Sequence, residues 1–282
     1  MKIKAYAKIN LALKVVNKRD DGYHDLKMIM APITLHDLIY IDKTSKGIII
    51  KSNSSILPTN KSNIMYQIVT KMQKLYNLSG GVEIFIYKHI PTQAGLGGGS
   101  ADGAAILHAM NRLYELNLTN EQLANIGKEV GADIPFCVYN QMAYVEGIGE
   151  KLSFIDNDFR AHILLVKPRK GVSTKKAFEN LRFDQIGQAN LEEMVDAIEA
   201  DDYPNIIANM TNSLEENAMK SVREIKEIKA KLIELGFDNA LMTGSGSCVF
   251  GITRNEEVLE AGDEYFSSKN LYVRKTELLS KK

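Results

Sequence analysis

Pro91-Thr92-Gln93-Ala94-Gly95-Leu96-Gly97-Gly98-Gly99-Ser100-Ala101 is the stretch from which the rest of the chain is read. Four glycines in five positions leave the main chain bare, so its N–H groups can close on an anion that side chains would otherwise block. A helix-forming run, Ala101 to Tyr114, follows at once. Its N-terminus adds unpaired N–H groups and the positive end of the helix dipole. Together these features predict a phosphate cradle at the mouth of a helix. The plainer alternative is a tight turn whose glycines permit close packing.

Two familiar phosphate motifs are tested by the residues themselves. A dinucleotide fingerprint needs a third glycine and an acid about 20 residues on, at the end of the next strand. Ser100 stands in place of that glycine, and the acid at suitable distance, Glu115, falls at a helix end. A Walker-type loop needs Lys then Ser/Thr directly after the last glycine, whereas Gly99 is followed by Ser100 and Ala101. The Ser100 hydroxyl can still serve as an Mg²⁺ ligand. The missing cation has to come from another segment.

Bulk composition narrows the class. The chain has 282 residues, 45% hydrophobic and 25% charged, as expected of a globular protein with two domains. Lys plus Arg and Asp plus Glu both total 35, which argues against nucleic acid or an acidic membrane surface as the main partner. Cys137 and Cys248 lie far apart in apolar surroundings without metal-site spacing, which predicts reduced, buried thiols in a cytoplasmic setting. No run reaches the roughly 18 apolar residues of a membrane span, and the N-terminal segment does not read as a signal peptide.

Lys2 to Val16 alternates as a strand, Lys18 to Gly22 is a turn, and Tyr23 to Ile33 is a second strand. Short β-rich runs follow at Leu38 to Asp42, Gly47 to Lys51 and Val82 to Lys88. Ser62 is placed to cap a helix to Tyr76, and Thr119-x-x-Gln122 has capping-box form. Ala143 to Glu146 reads as a strand, and the polar stretch Ser153 to Arg160 is taken as the domain boundary. Beyond it come a strand (His162 to Val166), helices (Asn190 to Glu199, Val222 to Leu235), then strand, helix and strand from Cys248 to Leu278. The pattern is α+β, split into 1–155 and 156–282.

Three segments then fall into one pattern: Ala5-Tyr6-Ala7-Lys8-Ile9-Asn10-Leu11, the loop 91–101, and Leu241-Met242-Thr243-Gly244-Ser245-Gly246-Ser247-Cys248. In order and spacing they resemble the three motifs of the GHMP small-molecule kinases. Asp21-Gly22-Tyr23-His24 and Gly131-Ala132-Asp133-Ile134-Pro135-Phe136 narrow the resemblance to members acting on a cytidine-diphosphate-linked methylerythritol in non-mevalonate isoprenoid synthesis. The resemblance implies a two-domain fold, an N-terminal mixed sheet with helices and a C-terminal ferredoxin-like domain, with the active site in the cleft between domains. It also implies transfer of the γ-phosphoryl of ATP, with Mg²⁺, to the 2-hydroxyl of that substrate. No partner protein is indicated; the state expected is a monomer or weak homodimer.

The resemblance assigns roles residue by residue. Asp133 accepts the proton of the attacking hydroxyl; its plainer role is a helix N-cap before Ile134-Pro135. Lys8 supplies the missing cation, although alone it reads as a solvated lysine on an alternating strand. Asn10 shares its strand face and would hydrogen-bond the substrate. Pro91, Ala94, Gly95, Leu96, Gly97, Gly98, Gly99, Ser100 and Ala101 form the ATP-phosphate loop, with Ser100 toward the metal. Asn63 and Lys88 match positions at the adenosine end. Tyr23, His24, Thr174 and Phe178 would hold the cytosine, where the alternative for Tyr23-His24 is an exposed hairpin flank. Gly244 to Ser247 is given a supporting role.

Overall fold

The computed structural model describes residues 1–173, 177–178, 181 and 189–279. They gather into two units that interleave along the chain: 1–7, 35–90 and 97–140 in the first, and 8–34, 91–96 and 141–282 in the second. Strands β1 (Lys2–Lys18) and β2 (His24–Thr44) are long enough to contribute residues to both.

In the first unit, β3 (Ile48–Ser52) pairs parallel with β4 (Gly81–Tyr87), which pairs antiparallel with Leu38–Thr44 of β2. Helices α1 (Ile64–Tyr76), α2 (Gly98–Leu113), α3 (Asn120–Lys128) and α4 (Ile134–Tyr139) complete it. The capping box at Thr119 forms as read: Thr119 Oγ1 accepts from Gln122 N, and Gln122 Oε1 accepts from Thr119 N. The cap of α1 is Asn63 rather than Ser62, because Asn63 Oδ1 accepts from Met65 N at 2.8 Å. Helix α2 starts three residues before Ala101. Gly97, in the left-handed region (φ 68°), is its N-cap, so Gly98, Gly99 and Ser100 form the first turn.

In the second unit, β5 (Ala143–Gly147) pairs with Leu26–Met30 of β2 and with β6 (Lys151–Phe154), while β8 (Thr211–Asn212) pairs with Ala12–Leu13 of β1. A separate antiparallel sheet contains β7 (His162–Lys167), β9 (Asn239–Met242), β10 (Val249–Thr253) and β11 (Tyr272–Glu277) in the order β11-β7-β10-β9. Between β7 and β9 the chain forms α5 (Leu191–Glu199), α6 (Tyr203–Ala208), α7 (Glu215–Ser221) and α8 (Glu224–Glu234). Helix α9 (Glu256–Ser267) joins β10 to β11. Helical crossovers on a four-stranded antiparallel sheet of this order make the βαββαβ ferredoxin-like arrangement.

Two local readings need correction. The runs to Ile33 and from Leu38 belong to one strand, β2, which starts at His24, after the turn that holds Tyr23, and continues through the polar residues Thr34, His36 and Asp37. In β1, the residues from Ala7 to Leu13 are buried on both faces, so an alternating pattern there does not put every second residue in water. No helix among the described residues is long and apolar enough to cross a membrane.

Candidate active site

In the second unit, β1 sets Lys8 and Asn10 two residues apart and thus on one strand face. Both are buried, at 5% and 0% exposure, so Lys8 is not a solvated surface lysine. Its ammonium donates to Asn10 Oδ1 at 2.7 Å, which fixes both side chains. A Cβ on Gly244 would lie 3.3 Å from Lys8 Nζ, placing the Thr243–Ser247 loop beside the ammonium. Thr243, fully buried, joins the pieces: its Oγ1 accepts from Asn10 N at 3.0 Å and donates to Gly95 O at 3.4 Å. Asn212 holds that loop in turn, donating to the carbonyls of Met242 (2.6 Å) and Gly244 (2.8 Å).

The first half of the glycine segment is fixed through its carbonyls. Gln93 O accepts from Ser247 N (3.3 Å), Ala94 O from Cys248 N (3.2 Å), Gly95 O from Thr243, and Leu96 O from Lys8 N (3.1 Å). Gly95 has φ 75°, and a Cβ there would run into the Thr243 carbonyl, so only glycine fits. Ala94 and Leu96 are buried and Pro91 half-buried, so their side chains anchor the loop.

His24 and Phe178 stack with ring centroids 5.0 Å apart and planes at 29°. Burial, aided by the Lys18 charge, lowers the His24 pKa and favours the neutral ring. Tyr23 is exposed, on a turn where its N–H donates to Asp21 Oδ1. Thr174 lies outside the described residues.

In the first unit, the amides of Gly97, Gly98, Gly99 and Ser100 donate to no acceptor among the described residues. These are the orphan donors that a helix N-terminus offers to an anion. Ala101 is buried behind them. Ser100 Oγ lies 3.8 Å from where a Cβ on Gly131 would stand, so the first turn of α2 adjoins the turn that leads to Asp133. Asp133 occupies the N-cap position of α4, yet its carboxylate makes no capping hydrogen bond. The plainer role foreseen for it is therefore not the one its side chain performs.

Asn63 and Lys88 have their side chains engaged internally. Asn63 caps α1, and its Nδ2 donates to Pro58 O at 2.6 Å. Lys88 Nζ is bonded to two carboxylates, Asp37 Oδ2 and, at 2.7 Å, Asp102 Oδ2. Burial works against the Lys88 ammonium, but the two carboxylates outweigh it and raise its pKa. Asp102 moves well above the usual carboxylate range, chiefly through burial. Sequence reading singled out neither acid, although Asp102 directly follows the glycine loop and Asp37 interrupts an apolar strand. Thr243 was quoted within its motif without a task for its hydroxyl.

Among the described residues no group of three or more His, Cys, Asp or Glu side chains could hold a metal ion. Mg²⁺ binding that relies mainly on phosphate oxygens needs no such group. The Ser100 hydroxyl, on the turn that offers the free amides, fits a site of that kind.

Comparison with known proteins agrees with this arrangement. The model of the GHMP kinases N terminal domain matches residues 63–141, and that of the GHMP kinases C terminal domain matches 194–269. A protein of Clostridium novyi (strain NT) named 4-diphosphocytidyl-2-C-methyl-D-erythritol kinase is 42% identical over 98% of this chain and 100% of its own. Its namesake from Acetivibrio thermocellus is 43% identical over 90% of each chain. A crystal structure of 4-(cytidine 5'-diphospho)-2C-methyl-D-erythritol kinase superposes with a TM-score of 0.86 at 29% identity, covering 100% of both chains. Homoserine kinase from Cytophaga hutchinsonii shares the fold, with a TM-score of 0.75 at 18% identity over 99% of this chain and 94% of its own. With its two-domain α+β fold and the three motifs in order, the chain belongs to the GHMP kinases, in the family of the 4-diphosphocytidyl-2-C-methyl-D-erythritol kinases.

Proposed function

We propose that the chain transfers the γ-phosphoryl of ATP to the 2-hydroxyl of 4-diphosphocytidyl-2-C-methyl-D-erythritol, giving the 2-phosphate and ADP in non-mevalonate isoprenoid precursor synthesis. The observation that carries this reading is near full-length similarity, at 42% identity, to a relative named for that substrate.

Phosphoryl transfer through a loose transition state asks the protein to position two partners and offset charge. The amides from Gly95 to Ser100 hold the nucleotide phosphates, while Pro91, Ala94, Leu96 and Ala101 keep the loop in place. Asn63 and Lys88 mark the adenosine end. Lys8 offsets the charge that develops on the transferred group, and Asn10 orients the alcohol. The alcohol oxygen bonds to the γ-phosphorus as the bond to the ADP oxygen breaks. Asp133 accepts the hydroxyl proton late in that step. Ser100 would ligate Mg²⁺, which when bound neutralises phosphate charge. Tyr23, His24, Phe178 and Thr174 hold the cytosine; the stacked His24–Phe178 pair supports that assignment with a flat aromatic surface.

We also infer a cytoplasmic setting, a monomer or weak homodimer, and domains divided at 155/156, with the two matched segments on either side. A coupled ADP-release assay across alcohols tests the function. Turnover of the cytidylated substrate is expected; turnover of homoserine or a mevalonate derivative in its place refutes the substrate.

A further inference from the structure

The glycine segment leaves the first unit after Ile90 and re-enters it at Gly97. Two buried acids and a lysine whose side chain is 8% exposed stand at that exit and entry. Asp37, on β2, accepts through Oδ1 from the amides of His89 and Ile90 at 2.5 and 2.9 Å, and through Oδ2 from Lys88 Nζ. The same ammonium reaches Asp102 Oδ2, on α2, at 2.7 Å. Lys88 Nζ also lies 3.6 Å from where a Cβ on Gly98 would stand. The departing strand end and the arriving helix turn are thus joined by one ammonium between two carboxylates.

The arrangement is a costly way to fill space. Two buried carboxylates share one cation, and among the described residues Asp102 Oδ1 is buried without a hydrogen-bond partner. An apolar residue at 102 would pack without leaving a desolvated acceptor. What it would lose is the tie to Lys88. We propose that Asp37, Lys88 and Asp102 are positioning residues that clamp the two ends of the glycine segment together, fixing the path of its amides for the nucleotide phosphates. The clamp rests on the reading of residues 95–100 as the phosphate loop. It gives Lys88 its influence on the nucleotide through the loop, since its ammonium is already held by two acids.

The test compares Asp102→Ala with Asp102→Asn in the full chain. The asparagine keeps an oxygen acceptor for Lys88 and replaces a carboxyl group whose ionisation burial opposes. Hydrogen exchange in the nucleotide-free protein should accelerate about tenfold or more in Asp102→Ala at the amides of Lys8, Ser247 and Cys248, which donate to the loop carbonyls, and of Ala101, with α1 unchanged. In steady-state kinetics the same variant should raise KM for ATP about tenfold while KM for the cytidylated alcohol stays within about twofold. Asp102→Asn should stay within about threefold of wild type on both readouts. Unchanged exchange at those four amides, equal acceleration in α1, or an asparagine variant as impaired as the alanine one would each overturn the clamp. If Asp102→Ala does not fold, Asp37→Asn carries the same readouts, because it retains an acceptor for the His89 and Ile90 amides and gives up the ion pair. A wild-type chain that turns over no ATP would refute the functional reading alone; the exchange measurement would still decide the clamp.

Discussion

Replacing Thr243 by valine tests how the site is held, because the change keeps shape and deletes one hydroxyl. That hydroxyl is the acceptor for Asn10 N–H at 3.0 Å and the donor to Gly95 O at 3.4 Å, and all three residues lie in the second unit. Asn10 and Thr243 are fully buried, so no solvent replaces the lost partner. Stranding the Asn10 amide costs about 1–3 kcal/mol, and the long bond to Gly95 adds at most about 1 kcal/mol. The expected loss is about 1–4 kcal/mol, or roughly 2–8 °C in melting temperature for a chain of this size. Thr243→Ser provides the contrast: it keeps the hydroxyl and removes one methyl, costing about 1 kcal/mol. Activity should separate the two further. The strand segment that carries Lys8 and Asn10 is fixed at the Asn10 amide, and displacement near 1 Å costs up to about 10²-fold in rate. Thr243→Val should therefore lower kcat about 10–100-fold, with Thr243→Ser within about threefold. Thermal unfolding and the ADP-release assay measure both. If serine proves as damaging as valine, packing rather than hydrogen bonding holds the site, and the reasoning fails.

Three further outcomes are expected. Asp133→Asn should lower kcat by about 10²–10⁴-fold with ATP binding retained; near-normal turnover would remove its catalytic role. Gly127→Ala puts a Cβ against Ile134 Cγ2 and 3.1 Å from Leu107 Cδ1. Overpacking of about 1–3 kcal/mol should outweigh the helix-propensity gain of about 1 kcal/mol, and a stabilised variant in urea denaturation would contradict it. His108, whose Nε2–H donates to Val138 O at 2.9 Å, has its pKa lowered from 6.5 by burial, opposed by that carbonyl and assisted by Arg112. The unfolded chain then binds the proton more readily, so this contribution is complete above about 6.5 and is lost as pH falls through the folded-state value. Melting temperatures taken across that window should fall less steeply in His108→Gln; an unchanged slope would exclude His108 as the source.

Much of this was legible in the sequence because the informative residues act through the backbone or through local capping. Four glycines announce a bare main chain, and Thr119-x-x-Gln122 announces a helix start, from neighbours within a few positions. The residues that were missed act at long range. Asp37 lies 51 positions from the lysine it binds, and Thr243 lies 233 from the amide it accepts. In sequence, Asp37 looks like a break between two short strands, when it is a buried anchor within a single long one. Lys8 stands out through its motif, but its burial could not be read from an alternating pattern, since both faces of β1 are covered between Ala7 and Leu13. Helix α4 is legible only at its Asp133-Ile134-Pro135 start, because six residues are too few to express a period.

The carbonyls of Gln93 to Leu96 all turn to protein donors, and the amides of Gly97 to Ser100 meet no acceptor among the described residues. A peptide N–H has no proton to give up in the physiological range, so an anion grip built from it has no alkaline limb of its own. Nor does it offer an amine that acetylation could silence. If nucleotide affinity changes between pH 6 and 9, the cause must lie in the ionisation of the nucleotide itself or in side chains elsewhere. Natural variation at Thr92 is then free to drift so long as the main-chain path survives.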